Sequence, residues 1–140
     1  MSILTPKRWK YRKQMRGRIT GVATRANKVA FGDYGLKATV SSYVTNRQLE
    51  AARKVIVRYT RKVGKIWFRV FPDVPYTKKG LEMPMGSGKG DVDFYQARIK
   101  KGCILFELSG LNREEAEEAF KMASYKLPVT TRLVVKGEVR

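Results

Sequence analysis

The residues of this sequence best suited to bind an anion form one short glycine-rich segment. Glycine and another residue alternate along it, and it consists of Met85, Gly86, Ser87, Gly88, Lys89 and Gly90. Glycine adopts positive φ and allows close approach to the backbone, so successive N–H groups can turn toward an anion. Lys89 adds a point charge suited to phosphate. Two interpretations stay open: a loop that faces a phosphate-bearing partner, and a solvated hairpin tip.

This segment departs from the nucleotide-binding P-loop at two positions. A P-loop has a glycine five positions before its Gly-Lys pair and a Ser or Thr directly after that pair. Here Met83 stands at the first position and Gly90 at the second. Because the missing hydroxyl is the group that binds magnesium, we exclude a P-loop nucleoside triphosphatase.

The charge of the chain favours a polyanion as its partner. The 140 residues include 30 Lys and Arg against 12 Asp and Glu, which gives a formal net charge of +18. Nucleic acid is the first expectation for such a chain, and an anionic membrane surface is the second. No acid precedes Asp33, so the positive field is concentrated toward the N-terminal half. Four acids cluster instead in one later segment, as Glu114, Glu115, Glu117 and Glu118.

Composition also excludes several classes of site. Histidine is absent and Cys103 is the single cysteine, so neither a zinc site nor a disulfide within the chain is expected. We expect Cys103 to be buried as a small apolar residue. We expect no metal, no cofactor and no catalysis. No apolar stretch approaches the roughly 20 residues of a membrane span, and the N-terminus lacks the apolar region of a signal peptide.

Residues 1–30 are expected to form an extended basic arm. Their apolar content is too low for independent folding, so the arm should become ordered on RNA. Arginines would fork onto phosphates and aromatic rings would stack on bases. For Trp9, an anchoring role on the domain is the alternative. The predicted RNA-binding residues of the arm are Lys7, Arg8, Trp9, Lys10, Tyr11, Arg12, Lys13, Arg16, Arg18, Arg25 and Lys28.

A first helix is predicted over residues 45–62. Thr45 and Gln48 form a capping box, and Gly64 ends the helix. The apolar side is expected to comprise Leu49, Ala52, Ile56, Tyr59 or Thr60, and Val63. The opposite side is basic, which favours a phosphate-facing surface. Its residues are Arg47, Arg53, Lys54, Arg58, Arg61 and Lys62.

The rest of the chain predicts a single α+β domain over residues 31–140, with a mixed or antiparallel sheet packed against two helices. Strands are expected at 36–40, 65–71, 76–83, 93–99, 103–108 and 129–135. The glycine loop, residues 84–91, lies in the hairpin between the third and fourth of these. A second helix begins after Asn112 and ends at Pro128. Its small core face should approach a sheet, through Ala116, Ala119, Phe120 and Ala123.

Six motifs occur in an order that resembles the bacterial-type large-subunit ribosomal protein L-sixteen family, along nearly the whole chain. They are Pro6-Lys7-Arg8; Phe31-Gly32 with Gly35-Leu36-Lys37-Ala38; Gln48-Leu49-Glu50-Ala51-Ala52-Arg53; Gly64-Lys65-Ile66-Trp67 with Arg69-Val70-Phe71-Pro72-Asp73; the loop from Met85 to Gly90; and Ala119-Phe120-Lys121 with Lys126-Leu127-Pro128.

The resemblance implies a structural constituent of the large ribosomal subunit. Its partners would be large-subunit rRNA, A-site and P-site tRNA, and neighbouring ribosomal proteins, with no membrane. The arm and the first helix would hold rRNA, and residues 85–90 would reach toward tRNA and the peptidyl-transferase region. The expected location is the ribosome, in the cytoplasm or in an organelle. A free RNA-binding or RNA-modifying protein is the alternative.

One position departs from the family pattern. Many members have an arginine directly before the Met-Gly of the loop, and in some members it is hydroxylated. Here that position is Pro84, so the modification cannot occur there and one cationic contact is lost.

Overall fold

Seven strands and two helices make up the part of the chain that the computed structural model describes, residues 4–61 and 63–138. In chain order they are β1 (Tyr34–Ala38), β2 (Ser42–Thr45), α1 (Asn46–Thr60), β3 (Lys65–Phe68), β4 (Val74–Lys78), β5 (Asp91–Ile99), β6 (Ile104–Ser109), α2 (Arg113–Ser124) and β7 (Thr131–Val135). The strands form two sheets, ordered β3-β6-β1-β7 and β2-β5-β4, and all pairs within them are antiparallel. The α+β class is confirmed, with two sheets instead of the expected one.

Helix α1 begins as its capping box predicts. The Gln48 N–H donates to the Thr45 hydroxyl over 3.2 Å, and the Thr45 N–H donates to the Gln48 side-chain oxygen over 3.0 Å. The buried side carries the expected apolar residues, and Thr60 lies on it instead of Tyr59. The expectation for Val63 is wrong: its side chain is 79% exposed, because the helix ends at Thr60.

Helix α2 carries a second capping box, between Asn112 and Glu115. Its four expected core residues are all buried, including Phe120. The main neighbour of this helix is α1, and its contact with β7 is smaller. The small residues therefore allow two helices to approach each other closely, where a sheet was expected. The helix ends at Ser124, before Pro128.

The predicted pairing of the two strands that flank the glycine loop is confirmed, but β4 ends at Lys78 where Met83 was expected, and β5 begins at Asp91 where Asp93 was expected. Strands β4 and β5 pair from Val74 opposite Gln96 to Lys78 opposite Asp91. Strand boundaries differ elsewhere: β1 begins two residues earlier than expected, and β3 ends three residues earlier. Strand β2 was not predicted. It has four residues, and its pairing with β5 stabilises it.

Strand β6 lies at the centre of the core. All residues from Ile104 to Leu108 are buried, and Phe106 packs against Phe68 with ring centroids 5.0 Å apart. Trp67 lies on the other face of β3 and stacks on Phe31 at 6.4 Å. Cys103 is partly buried against this core. Burial raises the pKa of its thiol, which the positive charge of Arg69 partly offsets.

Candidate nucleic-acid interface

The glycine loop projects from the β4–β5 hairpin as an exposed finger. Every residue from 81 to 89 is exposed, and the Leu81 and Met85 side chains are almost fully accessible. The backbone has φ of 114° at Gly86, 59° at Ser87 and 94° at Gly88. Positive φ is the conformation that glycine tolerates best, which explains the two glycines here. The Lys79 ammonium donates to the Gly86 carbonyl over 2.5 Å and ties the tip to its base.

The arm lies directly beside this loop. The Lys13 ammonium donates to the Lys89 carbonyl over 3.0 Å, and the Lys89 ammonium donates to the Gln14 carbonyl. These groups are about 75 positions apart in the sequence, from which the arm and the loop were predicted as separate sites. The structure joins the arm and the loop into one cationic surface.

The arm also crosses the outer face of the β2-β5-β4 sheet. The Arg16 guanidinium lies 5.1 Å from the Tyr43 ring centroid and 5.2 Å from that of Tyr76. The Arg16 carbonyl accepts hydrogen bonds from the Tyr43 hydroxyl, over 2.6 Å, and from the Arg98 guanidinium, over 3.1 Å. Cation–π contact of this kind holds a charged side chain without removing its charge. Arg16, predicted to bind RNA, is thus also an anchor of the arm.

Further anchors lie at both ends of the arm. Leu4 and Ala23 are buried, and Val22 forms a parallel bridge with Lys101. The Ile104 N–H donates to the Ala26 carbonyl over 2.7 Å. All nine cationic residues of the arm nevertheless remain exposed: Lys7, Arg8, Lys10, Arg12, Lys13, Arg16, Arg18, Arg25 and Lys28. Between residues 4 and 30 the arm is therefore bound to the domain at several points, while it presents its charges outward.

A buried carboxylate holds the junction between arm and domain. Glu107 is fully buried in β6. Its carboxylate accepts hydrogen bonds from the backbone N–H groups of Ala30 at 3.0 Å, Phe31 at 2.6 Å and Gly32 at 2.8 Å. It is also ion-paired with Arg69. Burial alone would raise the pKa of Glu107, but these four donors outweigh burial and the pKa is lowered.

The role of Glu107 was not predicted from the sequence. Its only local signal was one acid inside the apolar run 104–108. Arg69 also donates to the Lys28 carbonyl over 3.3 Å, and its guanidinium lies 5.1 Å from the Phe31 ring centroid. Glu107 and Arg69 together thus fix residues 28–32, where the arm joins the domain.

The basic side of α1 is narrower than predicted. Arg47, Lys54 and Arg58 are exposed along it at helical spacing, and Arg61 is exposed just beyond the end of the helix. Arg53 instead forms two hydrogen bonds to the Glu50 carboxylate, of 3.1 and 2.5 Å. This contact raises the pKa of Arg53 and lowers that of Glu50.

The C-terminal end of this helix lies beside the acidic cluster of α2. Arg58 and Arg61 line a cleft of about 630 Å³ together with Glu115 and Glu118. Phosphate binding is therefore better supported at Arg47 and Lys54 than at this end. The predicted Lys62 lies outside the described residues.

Across residues 4–61 and 63–138, no three acidic or cysteine side chains are grouped so that they could hold a metal ion. Neither of the helices in this part of the chain is long and apolar enough to cross a membrane.

The chain was compared with known proteins. Residues 6–134 match the family described as Ribosomal protein L16p/L10e. A relative from Borrelia duttonii, named large ribosomal subunit protein uL16, is 49% identical over 138 residues, which cover 99% of this chain and all of the relative. A protein of the same name from Trichodesmium erythraeum is 52% identical over 136 residues, 97% of this chain and 99% of the relative. Large ribosomal subunit protein uL16c from Porphyra purpurea is 50% identical over 137 residues, 98% and 99% of the two chains. The resemblance inferred from six ordered motifs is confirmed, and the chain belongs to the ribosomal protein L16p/L10e family.

Proposed function

We propose that this protein is a structural constituent of the large ribosomal subunit that binds rRNA and helps to shape the A-site region during translation. The observation that carries the proposal is the family match over residues 6–134. The names of the relatives place those proteins in the same subunit. No observation favours the alternative of a free RNA-modifying protein.

The arm and α1 supply the proposed rRNA contacts. Nine exposed cations lie on residues 7–28, and Arg47 and Lys54 are exposed on the helix. RNA that neutralises these charges releases its counterions, which drives binding and makes it depend on salt. Because Leu4, Arg16 and Ala23 already anchor the arm to the domain, the arm loses less conformational entropy when it binds RNA. We propose that rRNA completes the ordering of residues 1–30.

The glycine loop is the proposed tRNA-proximal element. Residues 85–90 project from a rigid hairpin, and Lys89 is engaged with the arm. The loop thus extends from the part of the protein that would hold rRNA, which would place its tip at a set distance from the RNA core. We propose contact with A-site and P-site tRNA at this tip. Pro84 removes one cation there, so shape and backbone contribute more than charge.

The protein would act through charge and geometry, without catalysis of its own. Converging RNA segments repel one another, and a cationic surface between them reduces that repulsion. Basic side chains of the protein would supply this effect, and the two-sheet domain would keep them in position.

Sucrose-gradient sedimentation at moderate salt tests the assignment to the large subunit. We expect the protein to migrate with large subunits. Recovery at the top of the gradient would contradict the proposal.

Salt dependence tests the rRNA surface. Each phosphate contact contributes about 0.7–0.9 to the slope of log affinity against log salt. The variant Arg47→Ala/Lys54→Ala should therefore lower the slope for an rRNA fragment by about 1.4–1.8. The matched control is Lys121→Ala/Lys126→Ala, which also removes two exposed charges, at and just beyond the C-terminal end of α2 and outside the proposed surface. An equal effect of the control would show that only net charge matters.

Photo-crosslinking tests the loop. A photoreactive residue at Ser87 should crosslink to tRNA in ribosomes that carry the variant. The same residue at Lys136, in the exposed turn after β7, is the control and should give no tRNA product. Absence of a tRNA crosslink at position 87 in otherwise assembled ribosomes would contradict the tRNA contact alone.

A further inference from the structure

A cleft separates the start of the arm from strand β5. Its volume is about 680 Å³. Pockets that take small organic ligands have volumes of about 300–1,000 Å³, so the cleft is large enough for one nucleotide. Arm residues 6–9, 12 and 13 form one wall, and Asp91, Val92 and Tyr95 of β5 form the other.

The two walls differ in chemistry. The arm contributes four cations, Lys7, Arg8, Arg12 and Lys13, together with the indole of Trp9. The strand contributes the Tyr95 ring and the Asp91 carboxylate. Phosphate is attracted to the arm wall and repelled by the carboxylate, so an anionic ligand has one favourable orientation. Its phosphate would lie against the arm and its uncharged part toward β5.

The aromatic groups indicate what that uncharged part is. Unstacked RNA bases are bound on the faces of aromatic side chains, while phosphates are bound by neighbouring cations. Trp9 is partly buried, and its indole N–H has no acceptor among the described residues.

We propose that this cleft binds a single unstacked ribonucleotide of an RNA strand, with its base on Trp9 and Tyr95 and its phosphate on the arm cations. The proposal rests on the proposed rRNA-binding function and adds a defined base-binding site to it. It also combines the two interpretations of Trp9: the side chain is anchored near the domain, and it offers a ring face to a base.

A pair of short RNAs tests whether the cleft binds a base. One is a five-nucleotide RNA with adenine at its centre and four abasic nucleotides, and the other is abasic throughout. Both carry the same phosphates. Stacking on an aromatic residue should make the adenine-bearing RNA bind about tenfold more tightly in an anisotropy titration of dye-labelled RNA. In the variant Trp67→Phe, Trp9 is the remaining tryptophan. Its fluorescence should be quenched by the adenine-bearing RNA alone.

Variants locate the effect. Trp9→Leu and Tyr95→Leu should each abolish most of the tenfold preference, and Trp9→Phe should retain most of it. The matched control is Tyr125→Leu, since Tyr125 is a surface aromatic that is 68% exposed, lies outside the arm and does not line the cleft. If Tyr95→Leu does not fold, as judged by circular dichroism, the two Trp9 variants decide, because Trp9 lies in the arm outside the sheets.

The possible outcomes separate this proposal from the function on which it rests. Equal affinity for the two RNAs, or an equal loss in Tyr125→Leu and Trp9→Leu, would overturn the nucleotide site. Migration with large subunits would then still support the ribosomal assignment. Failure to migrate with large subunits would overturn the ribosomal assignment itself.

Discussion

Replacement of the buried carboxylate, Glu107→Gln, should destabilise the protein more than any exposed charge change. The Glu107 carboxylate accepts hydrogen bonds from three backbone N–H groups and is ion-paired with the Arg69 guanidinium, and its side chain is fully buried. A glutamine offers one oxygen to these four donors, and its NH₂ group must face the others. In either orientation of the amide, its NH₂ group lies against N–H donors that the carboxylate oxygen had accepted. Arg69 also loses its countercharge.

The size of the effect follows from these contacts. Removing one partner of a buried ion pair costs about 3–5 kcal/mol. Loss of two hydrogen bonds to a charged group gives a similar figure, at about 1.5–3 kcal/mol each. Domains have a free energy of unfolding of about 5–15 kcal/mol, so the variant would lose a large fraction of it. For a chain of this size we expect the Tm to fall by about 10–20 °C.

Urea denaturation at pH 7, followed by circular dichroism, measures the loss. The control is Glu117→Gln, whose carboxylate pairs with Arg113 in an exposed helical pair and should contribute at most about 0.5 kcal/mol. A change within 1 kcal/mol of the wild type for Glu107→Gln would refute the reasoning, because it would mean that the carboxylate is not needed to hold residues 28–32.

The same carboxylate predicts a dependence on pH. Its pKa in the folded protein lies below the ordinary value of 4.5, because the four donors outweigh burial. Its contribution is therefore complete above that ordinary value and is lost as the pH falls through the folded pKa. In urea titrations below pH 4.5, the wild type should lose stability relative to its value at pH 7. Glu107→Gln should lack this component, and an unchanged pH profile in the variant would contradict the assignment.

Two further predictions concern close packing and the arm. Gly32→Ala should destabilise the protein by about 1–3 kcal/mol in urea denaturation, because the added Cβ would lie 2.6 Å from the Leu108 carbonyl oxygen. Gly80→Ala, where the nearest heavy atom is 3.6 Å away, should have little effect, and an equal loss would contradict the steric explanation. Arg16→Ala should speed cleavage of the arm by proteinase K, since it removes two cation–π contacts, whereas Arg18→Ala should not. Equal cleavage rates in the two variants would show that Arg16 does not anchor the arm.

The features that the sequence predicted correctly depend on neighbouring residues. Both helix starts were found, because a capping box acts over three positions and Thr45 and Asn112 each have the required partner. The hairpin with its glycine loop was found, because positive φ favours glycine wherever the chain folds. The family was identified because its six motifs keep their order along the whole chain. The net charge of the chain was also predicted correctly, since it depends on composition alone.

The features that the sequence missed depend on contacts across long separations. Strand β2 has only four residues and forms because it pairs with β5. Val63 matches the helical period but lies outside the core, because α1 ends before it. The narrowing of the basic helix surface was also not predicted. At Arg58 and Arg61 it requires α2 to pack against α1 and bring its acids near these residues, whereas at Arg53 it comes from the local pair with Glu50.

Local sequence therefore determined the helix caps, the loop, the charge and the family of this protein. Tertiary structure alone decided that the arm lies beside the loop, that Glu107 holds the junction at residues 30–32, and that Trp9 and Tyr95 line the same cleft. The physical reason is the range of the interactions. Caps and turns are set by backbone groups a few residues apart, whereas each of these three arrangements joins groups that are about 75 or more positions apart and meet only when the sheets have formed.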